Sequence, residues 1–392
     1  MSFTQEKVRS GNYQELALEG VSCTVCHQIS EENFGKEESF SGHYIIDLET
    51  KKPERKIFGP FYPFKPEVMA KNSGYIPEKG GTVRRAELCA ICHTLYTPTI
   101  ENGEIVGEFP EQTPYLEWLN SAYSGMVKCQ DCHMRGEKAR VSTEPQNSPL
   151  REMKAHIFAG ANVQLLTMQD DEKGAERALN QLRGGASVRI ESAEFVDGKL
   201  IVKVKVENNA GHKFPTGFPS RRAFLHLIVE DSEGIKFESG KYDSSGRIAG
   251  EDEPYEPHHD VIDSQDDVQI YESVMIDGNG KVTATLLKAK DYIKDNRLLP
   301  LGFKKEEAHP DTAVKGEALN DVNFAGGSDT VTYEVDGPFN PPVKVKVELL
   351  YQPVSYRFLT SLHPTDETRK FLEKFEEIEK TTLVDTHEVV LN

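Results

Sequence analysis

Apolar positions follow one rhythm up to about residue 185 and another beyond it. From Ala186 they recur at every second residue: Val188 and Ile190, then Leu200, Val202, Val204 and Val206, with polar residues between. Such alternation marks strands that bury one face. Turn residues punctuate the runs. Asp197-Gly198, Ser232-Glu233-Gly234 and Asp277-Gly278-Asn279-Gly280 predict three hairpins, the second joining 224–230 to 235–237 and the third joining 268–276 to 281–287. Residues 330–335 and 343–351 predict two further strands, after an irregular section over 291–329. The tail predicts an amphipathic helix over 366–380 and a last short strand over 388–391.

Before residue 185 the pattern is one of helices and loops. Pro and Gly in the aromatic-rich run 56–66 prevent a long helix or a central strand there. Thr113 with Pro114 at the first helical position predicts a short helix carrying Tyr115, Leu116, Trp118 and Leu119. A longer helix over 163–183 has Val163, Leu166, Ala178, Leu179 and Leu182 on its apolar side, and Gly184-Gly185 stop it. These readings predict an α+β multidomain chain. Residues 1–185 form a helix-and-loop domain, 186–352 an antiparallel β-sandwich of immunoglobulin-like type, and 353–392 a C-terminal helix and tail.

Composition narrows the class. A chain of 392 residues suits two domains of ordinary size, and a hydrophobic content of 37% suits a globular protein. No apolar run approaches the roughly 18 residues that span a bilayer. The net charge of −18 argues against nucleic acid and anionic membranes as partners, and is compatible with a basic protein partner.

The candidate chemistry lies in one pentapeptide, C-x-x-C-H, present three times: Cys23-Thr-Val-Cys26-His27, Cys89-Ala-Ile-Cys92-His93 and Cys129-Gln-Asp-Cys132-His133. The three copies use all six cysteines. Thiols three positions apart share one side of a helical turn and can add across the two vinyl groups of one haem. The histidine that follows is then placed to ligate the iron. Four-thiolate zinc sites need C-x-x-C pairs in twos, and three pairs leave one unmatched. A thiol redox motif would occur once, beside a βαβ pattern, and disulfides would not produce three identical pentapeptides. The pattern therefore predicts three covalent haem c groups, with His27, His93 and His133 as proximal ligands. Covalent haem attachment requires export, and Met1–Lys7 has no apolar core of a secretory signal. A periplasmic or extracellular mature chain with its signal removed is expected.

Sixth ligands must come from elsewhere. His156 follows the third motif closely. His212 sits in the tight loop Asn208-Asn-Ala-Gly-His-Lys-Phe-Pro-Thr-Gly217. His43 lies near the first motif, and His258 precedes His259 in an acidic loop where one of the two could also bind another metal. Met69 is the thioether candidate. Arg221, Arg222 and Arg297 are candidates to pair with haem propionates, because a guanidinium binds carboxylates bidentately. The 56–66 run either wraps a macrocycle or forms an ordinary surface loop.

Several stretches resemble a family of bacterial multihaem cytochromes c that joins an N-terminal haem region, similar in motif style to the cytochrome c554 group, to a C-terminal β domain. They are Glu87-Leu-Cys-Ala-Ile-Cys-His93, Glu111-Gln-Thr-Pro-Tyr-Leu-Glu-Trp118, Cys129-Gln-Asp-Cys-His-Met134, Ala210-Gly-His-Lys-Phe-Pro-Thr-Gly217 and Lys294-Asp-Asn-Arg-Leu-Leu-Pro300. The resemblance implies electron transfer outside the cytoplasm. Three functions follow as expectations. The first is a carrier relaying electrons between redox partner proteins, such as other cytochromes or an oxidoreductase, without enzymatic activity of its own. The second is a reductase or oxidase of a small inorganic substrate at a five-coordinate haem. The third is a subunit of a homo-oligomer, filament or surface complex.

Overall fold

The computed structural model of the chain describes residues 20–140 and 147–392; the stretch Met1–Lys7, read above as lacking a signal, lies outside them. The described residues form two compact units. One takes in residues 20–92 together with Arg140 and residues 147–149, and the other takes in His93–Ala139 and Leu150–Asn392.

In the first unit, α1 (Cys23–Cys26), β1 (Lys56–Gly59), α2 (Pro66–Ser73), β2 (Ile76–Lys79) and most of α3 (Glu87–His93) surround a small core. Ile29, Phe34 and Ile91 are its buried members, with Tyr44, Ile46 and Leu88 packed against them. β1 pairs with β2 in parallel. The proline-rich run 56–66 opens as β1 and closes with Pro66 at the first position of α2, where a missing N–H costs nothing.

The second unit begins with a hairpin, β3 (Leu95–Glu101) and β4 (Glu104–Gln112), inside the stretch expected to be helices and loops. Its turn, Asn102-Gly103, has both residues at positive φ (52° and 85°), the conformation that matches strand twist. Next come α4 (Pro114–Leu119), α5 (Cys129–His133), β5 (Gly136–Arg140) and β6 (Leu150–Lys154). The helix expected over 163–183 is broken into α6 (Val163–Thr167) and α7 (Glu172–Arg183). The cause is local: Asp170 sits at φ 57°, and the Asp171 carboxylate accepts the Gly174 N–H at 2.9 Å, starting a new helix.

The remaining strands are β7 (Ala186–Val196), β8 (Lys199–Asn208), β9 (Arg222–Asp231), β10 (Gly234–Ser239), β11 (Val261–Ile262), β12 (Ile270–Asp277), β13 (Ala289–Asp295), β14 (Ser328–Asp336) and β15 (Val343–Gln352). After them come α8 (Tyr356–Ser361), α9 (Asp366–Glu376) and β16 (Thr382–Leu391). They form a four-stranded sheet in the order β11-β14-β8-β7 and a six-stranded sheet in the order β13-β12-β9-β15-β16, with β10 also on β9. Alternation explains the packing. Leu200, Val202, Val204 and Val206 of β8 and Val331, Tyr333 and Val335 of β14 share one buried cluster with Leu225, Leu227 and Val229 of β9 and Val345, Val347 and Leu349 of β15.

Asp197-Gly198 and the turn before Gly234 join paired strands as the sequence predicts. The third predicted hairpin differs. The Asp277 carboxylate caps its turn, but the strand that pairs with β12 is β13, and Val282 alone bridges back to Ile276. Met275, Ala289 and Tyr292 bury themselves against Phe109 of β4, which draws 289–295 into the sheet. The hairpin β3–β4 is tied to the same place by Thr99 Oγ1 donating to Ala289 O at 2.6 Å and by Tyr292 Oη donating to Pro110 O at 2.9 Å. Gly184-Gly185 thus mark where the long strands start, while packing joins residues 93–139 to those strands.

Candidate functional site

All three C-x-x-C-H copies lie on helical turns, α1, α3 and α5, and their six thiols are free of disulfides. Burial pushes the Cys26, Cys92 and Cys132 thiols above their ordinary value; the neighbouring charge of Cys92 raises Cys26 further. The imidazole of His93 is pushed down, first by burial and then by the like charge of His133, against a hydrogen bond to Gln112. Cys26 therefore neighbours Cys92, and His93 neighbours His133.

Tautomers sort the histidines. A carbonyl oxygen only accepts, so an imidazole nitrogen bound to one carries the proton and the other nitrogen keeps its lone pair. His27 Nδ1 donates to Phe58 O at 2.5 Å and His133 Nδ1 to Ala159 O at 2.6 Å. His43 Nδ1 donates to Phe40 O at 2.8 Å and His212 Nδ1 to Lys213 O at 2.9 Å. In the neutral form of each ring the proton then sits on Nδ1 and the lone pair a metal requires sits on Nε2, and each ring is oriented by the backbone.

His133 and His212 come together. Their ring centroids are 6.2 Å apart and their planes lie within 15° of parallel. Two imidazoles on opposite faces of one metal ion, with metal–nitrogen bonds of about 2 Å, would place their centroids roughly 6 Å apart. The pair fits a haem iron held by both side chains, with the porphyrin anchored at Cys129 and Cys132.

The loop that carries His212 is stapled on several sides. Phe214 exchanges two backbone hydrogen bonds with Leu298, at 2.9 and 2.8 Å. Asn208 Nδ2 donates to both His212 O and Leu298 O. Gly211 lies against Trp118 and Tyr123, where a Cβ would stand 3.4 Å from the Trp118 ring, at ordinary contact distance. Behind the loop lies a buried ionic cluster. Glu117 of α4 accepts from Lys213 N–H at 3.0 Å and Thr216 Oγ1 at 2.6 Å, and pairs with Arg297 at 2.9 Å. Arg297 grips Asp295 through Nε and Nη2 at 2.8 and 2.7 Å, and Lys213 Nζ reaches the same carboxylate at 2.7 Å. Burial would raise Asp295, but Arg297 and Lys213 together hold it below the usual carboxylate range; burial pushes the Lys213 ammonium down.

The other predicted residues fare differently. Arg297 is committed to Asp295 and Glu117, so its role as a propionate partner is withdrawn. Arg222 is withdrawn likewise: fully buried, it binds Gln352 and Glu251, each at 2.7 Å. Arg221 donates to Thr216 O and Asn162 Oδ1 and lies near enough to lower His93. Both ring nitrogens of His258 are engaged by other side chains. Its Nδ1 accepts amide hydrogens from Gln269 and Asn296, whose orientations are fixed by His259 N–H and Glu272 N–H donating to their oxygens. Its Nε2 therefore carries the proton, which it donates to Asp321 at 3.0 Å. His259 likewise engages Glu256, at 2.7 Å. His156 is exposed, edge-on to Phe158, and Met69 is exposed on α2. Glu117 was not singled out by its type; its place one residue before Trp118 in a helix of apolar neighbours was the signal.

No protein-family model matches this chain, and no characterised protein matches it in sequence. Among solved structures it is similar to a penta-heme cytochrome c552 from Thermochromatium tepidum, at 15% identity and a TM-score of 0.58, over 98% of this chain and 81% of the other. What the two share is the fold.

Proposed function

We propose that this chain carries three covalent haem c groups and relays electrons between redox partner proteins outside the cytoplasm. The observation that supports it most is the pairing of His133 with His212, parallel at 6.2 Å with both Nδ1 protons held by carbonyls. His133 and His212 so fixed would hold one haem iron from both sides, which would let it change oxidation state with little rearrangement and leave no open position for a substrate. The nearness of Cys26 to Cys92, and of His93 to His133, supports transfer from haem to haem. The similarity in fold to a penta-heme cytochrome agrees with this reading, as does a lack, among the described residues, of any helix long and apolar enough to cross a membrane. The strand-rich region, read as a β-sandwich, supplies a sixth ligand and a surface for partners.

The haems supply one-electron redox chemistry; the protein orients the imidazoles and sets the polarity around them. Haem content per chain and the low-temperature EPR spectrum of the exported protein test the proposal together. Three haems, all low-spin, are expected. Fewer than three would refute the count, and a high-spin haem that rapidly binds cyanide, nitrite or CO would replace the carrier with an enzyme.

A further inference from the structure

Three separate stretches of sequence meet behind His212: Glu117 from α4, Lys213 and Thr216 from the loop itself, and Asp295 and Arg297 from the end of β13. Glu117 is fully buried, and so is Lys213. Burying a carboxylate is costly unless it is paired and hydrogen-bonded, and Glu117 is both. Two of its three partners belong to the loop that presents the imidazole. One of them, the Lys213 N–H, is in the same residue whose carbonyl takes the His212 Nδ1 proton.

From this geometry we propose that Glu117 is the positioning residue for the distal ligand of the third haem, holding the 212–216 loop so that Nε2 faces the iron and keeping that iron's potential low by its charge. The proposal rests on the assignment of His133 and His212 to one iron. The sign follows from the charges. Glu117 and Asp295 carry two negative charges against two positive ones on Arg297 and Lys213. Neutralising Glu117 leaves the cluster with one excess positive charge beside the iron. The oxidised iron carries one more positive charge than the reduced iron, so it is destabilised and the potential rises.

The test uses the haem-loaded protein with Glu117→Gln, Glu117→Ala and Thr216→Val, alongside His212→Ala as the reference. Glu117→Gln keeps the side-chain shape and an acceptor for the loop. It should leave all haems low-spin and shift one midpoint potential upward in a spectroelectrochemical titration. Glu117→Ala also removes the anchor and should convert one haem partly to high spin. Thr216→Val should produce a smaller change in the EPR signal of the same haem. A Glu117→Gln protein with unchanged midpoints and EPR signals overturns the proposal if His212→Ala does convert one haem. If His212→Ala itself leaves every haem unchanged, the ligand assignment fails first. Should Glu117→Ala not fold, the Gln variant decides.

Discussion

Replacing Arg297 by Met gives the sharpest thermodynamic test of the ionic cluster. Met matches the length of the stem and removes the charge that serves two carboxylates at once, 2.9 Å from Glu117 and 2.7 Å from Asp295. Asp295 keeps Lys213, so the residue left without a cation is Glu117, which retains only the Lys213 N–H and the Thr216 hydroxyl. At an effective dielectric of about 20, a pair of unit charges about 4 Å apart is worth about 4 kcal/mol before desolvation. Breaking a buried ion pair by removing one partner costs about 3–5 kcal/mol, and that is the loss expected here at pH 7. Urea unfolding followed by circular dichroism measures it without screening charges by salt. The double variant with Glu117→Gln should recover part of the loss, because the orphaned carboxylate is then gone. The pH dependence has a definite sign. In the wild type Asp295 is held below its ordinary value, so its stabilisation is present above the unfolded value near 4 and is lost only as pH falls further. Without Arg297 the Asp295 carboxyl loses the larger of the two charges that hold it down, so the gap between variant and wild type should narrow as pH falls below about 4. A loss under about 1 kcal/mol, or strict additivity with Glu117→Gln, would refute the reasoning.

Two more outcomes follow from local geometry. His258→Ala removes one hydrogen bond each from the amides of Gln269 and Asn296 and from the Asp321 carboxylate, so it should cost about 1–3 kcal/mol in urea unfolding while leaving the visible haem spectrum unchanged; a change in spin state would make His258 a ligand. Gly240→Ala should lower the melting temperature, by more than a surface substitution does, since a Cβ there would stand 2.1 Å from Leu225 O at a φ of +75° and so strain β9.

Sequence legibility followed how local each signal is. C-x-x-C-H and Asp197-Gly198 act within a few residues, and each lies where a helical turn or a hairpin is found. The Asn102-Gly103 hairpin carried an equally local signal, masked because the charged stretch around it leaves 104–108 exposed and without an apolar rhythm. The partner of β12 was not legible: 281–287 alternates as a strand should, and the choice of β13 depends on Phe109, far away in sequence. Arg297 was legible as a carboxylate binder, but its actual carboxylates, Asp295 and Glu117, are only partly near in sequence. His212 could be named because a histidine among Gly and Pro has few structural uses. That it would lie beside His133 could not be read, since their proximity depends on the folded strand-rich unit.

If His133 and His212 share one iron, as proposed, that proximity makes His212 a folding element as well as a ligand. Ligation of one iron by His133 and His212, with the porphyrin fixed at Cys129 and Cys132, would close a loop of about 80 residues, for which the entropy removed from the unfolded chain corresponds to about 4–5 kcal/mol. An iron–imidazole bond can dissociate in the unfolded state, so this is an upper limit. A single lost hydrogen bond, such as that from His212 to Lys213 O, costs about 1 kcal/mol. His212→Ala should therefore destabilise the haem-loaded protein by more than about 2 kcal/mol and convert one haem to high spin. His387→Ala, which removes an acceptor for Ile190 N–H on the same strand-rich unit, should cost about 1 kcal/mol and leave the spectrum alone. If His212→Ala costs no more than His387→Ala while the spectrum does change, iron is ligated there without tying the loop. If neither the stability nor the spectrum responds, the parallel rings are a packing contact and the third haem takes its sixth ligand elsewhere.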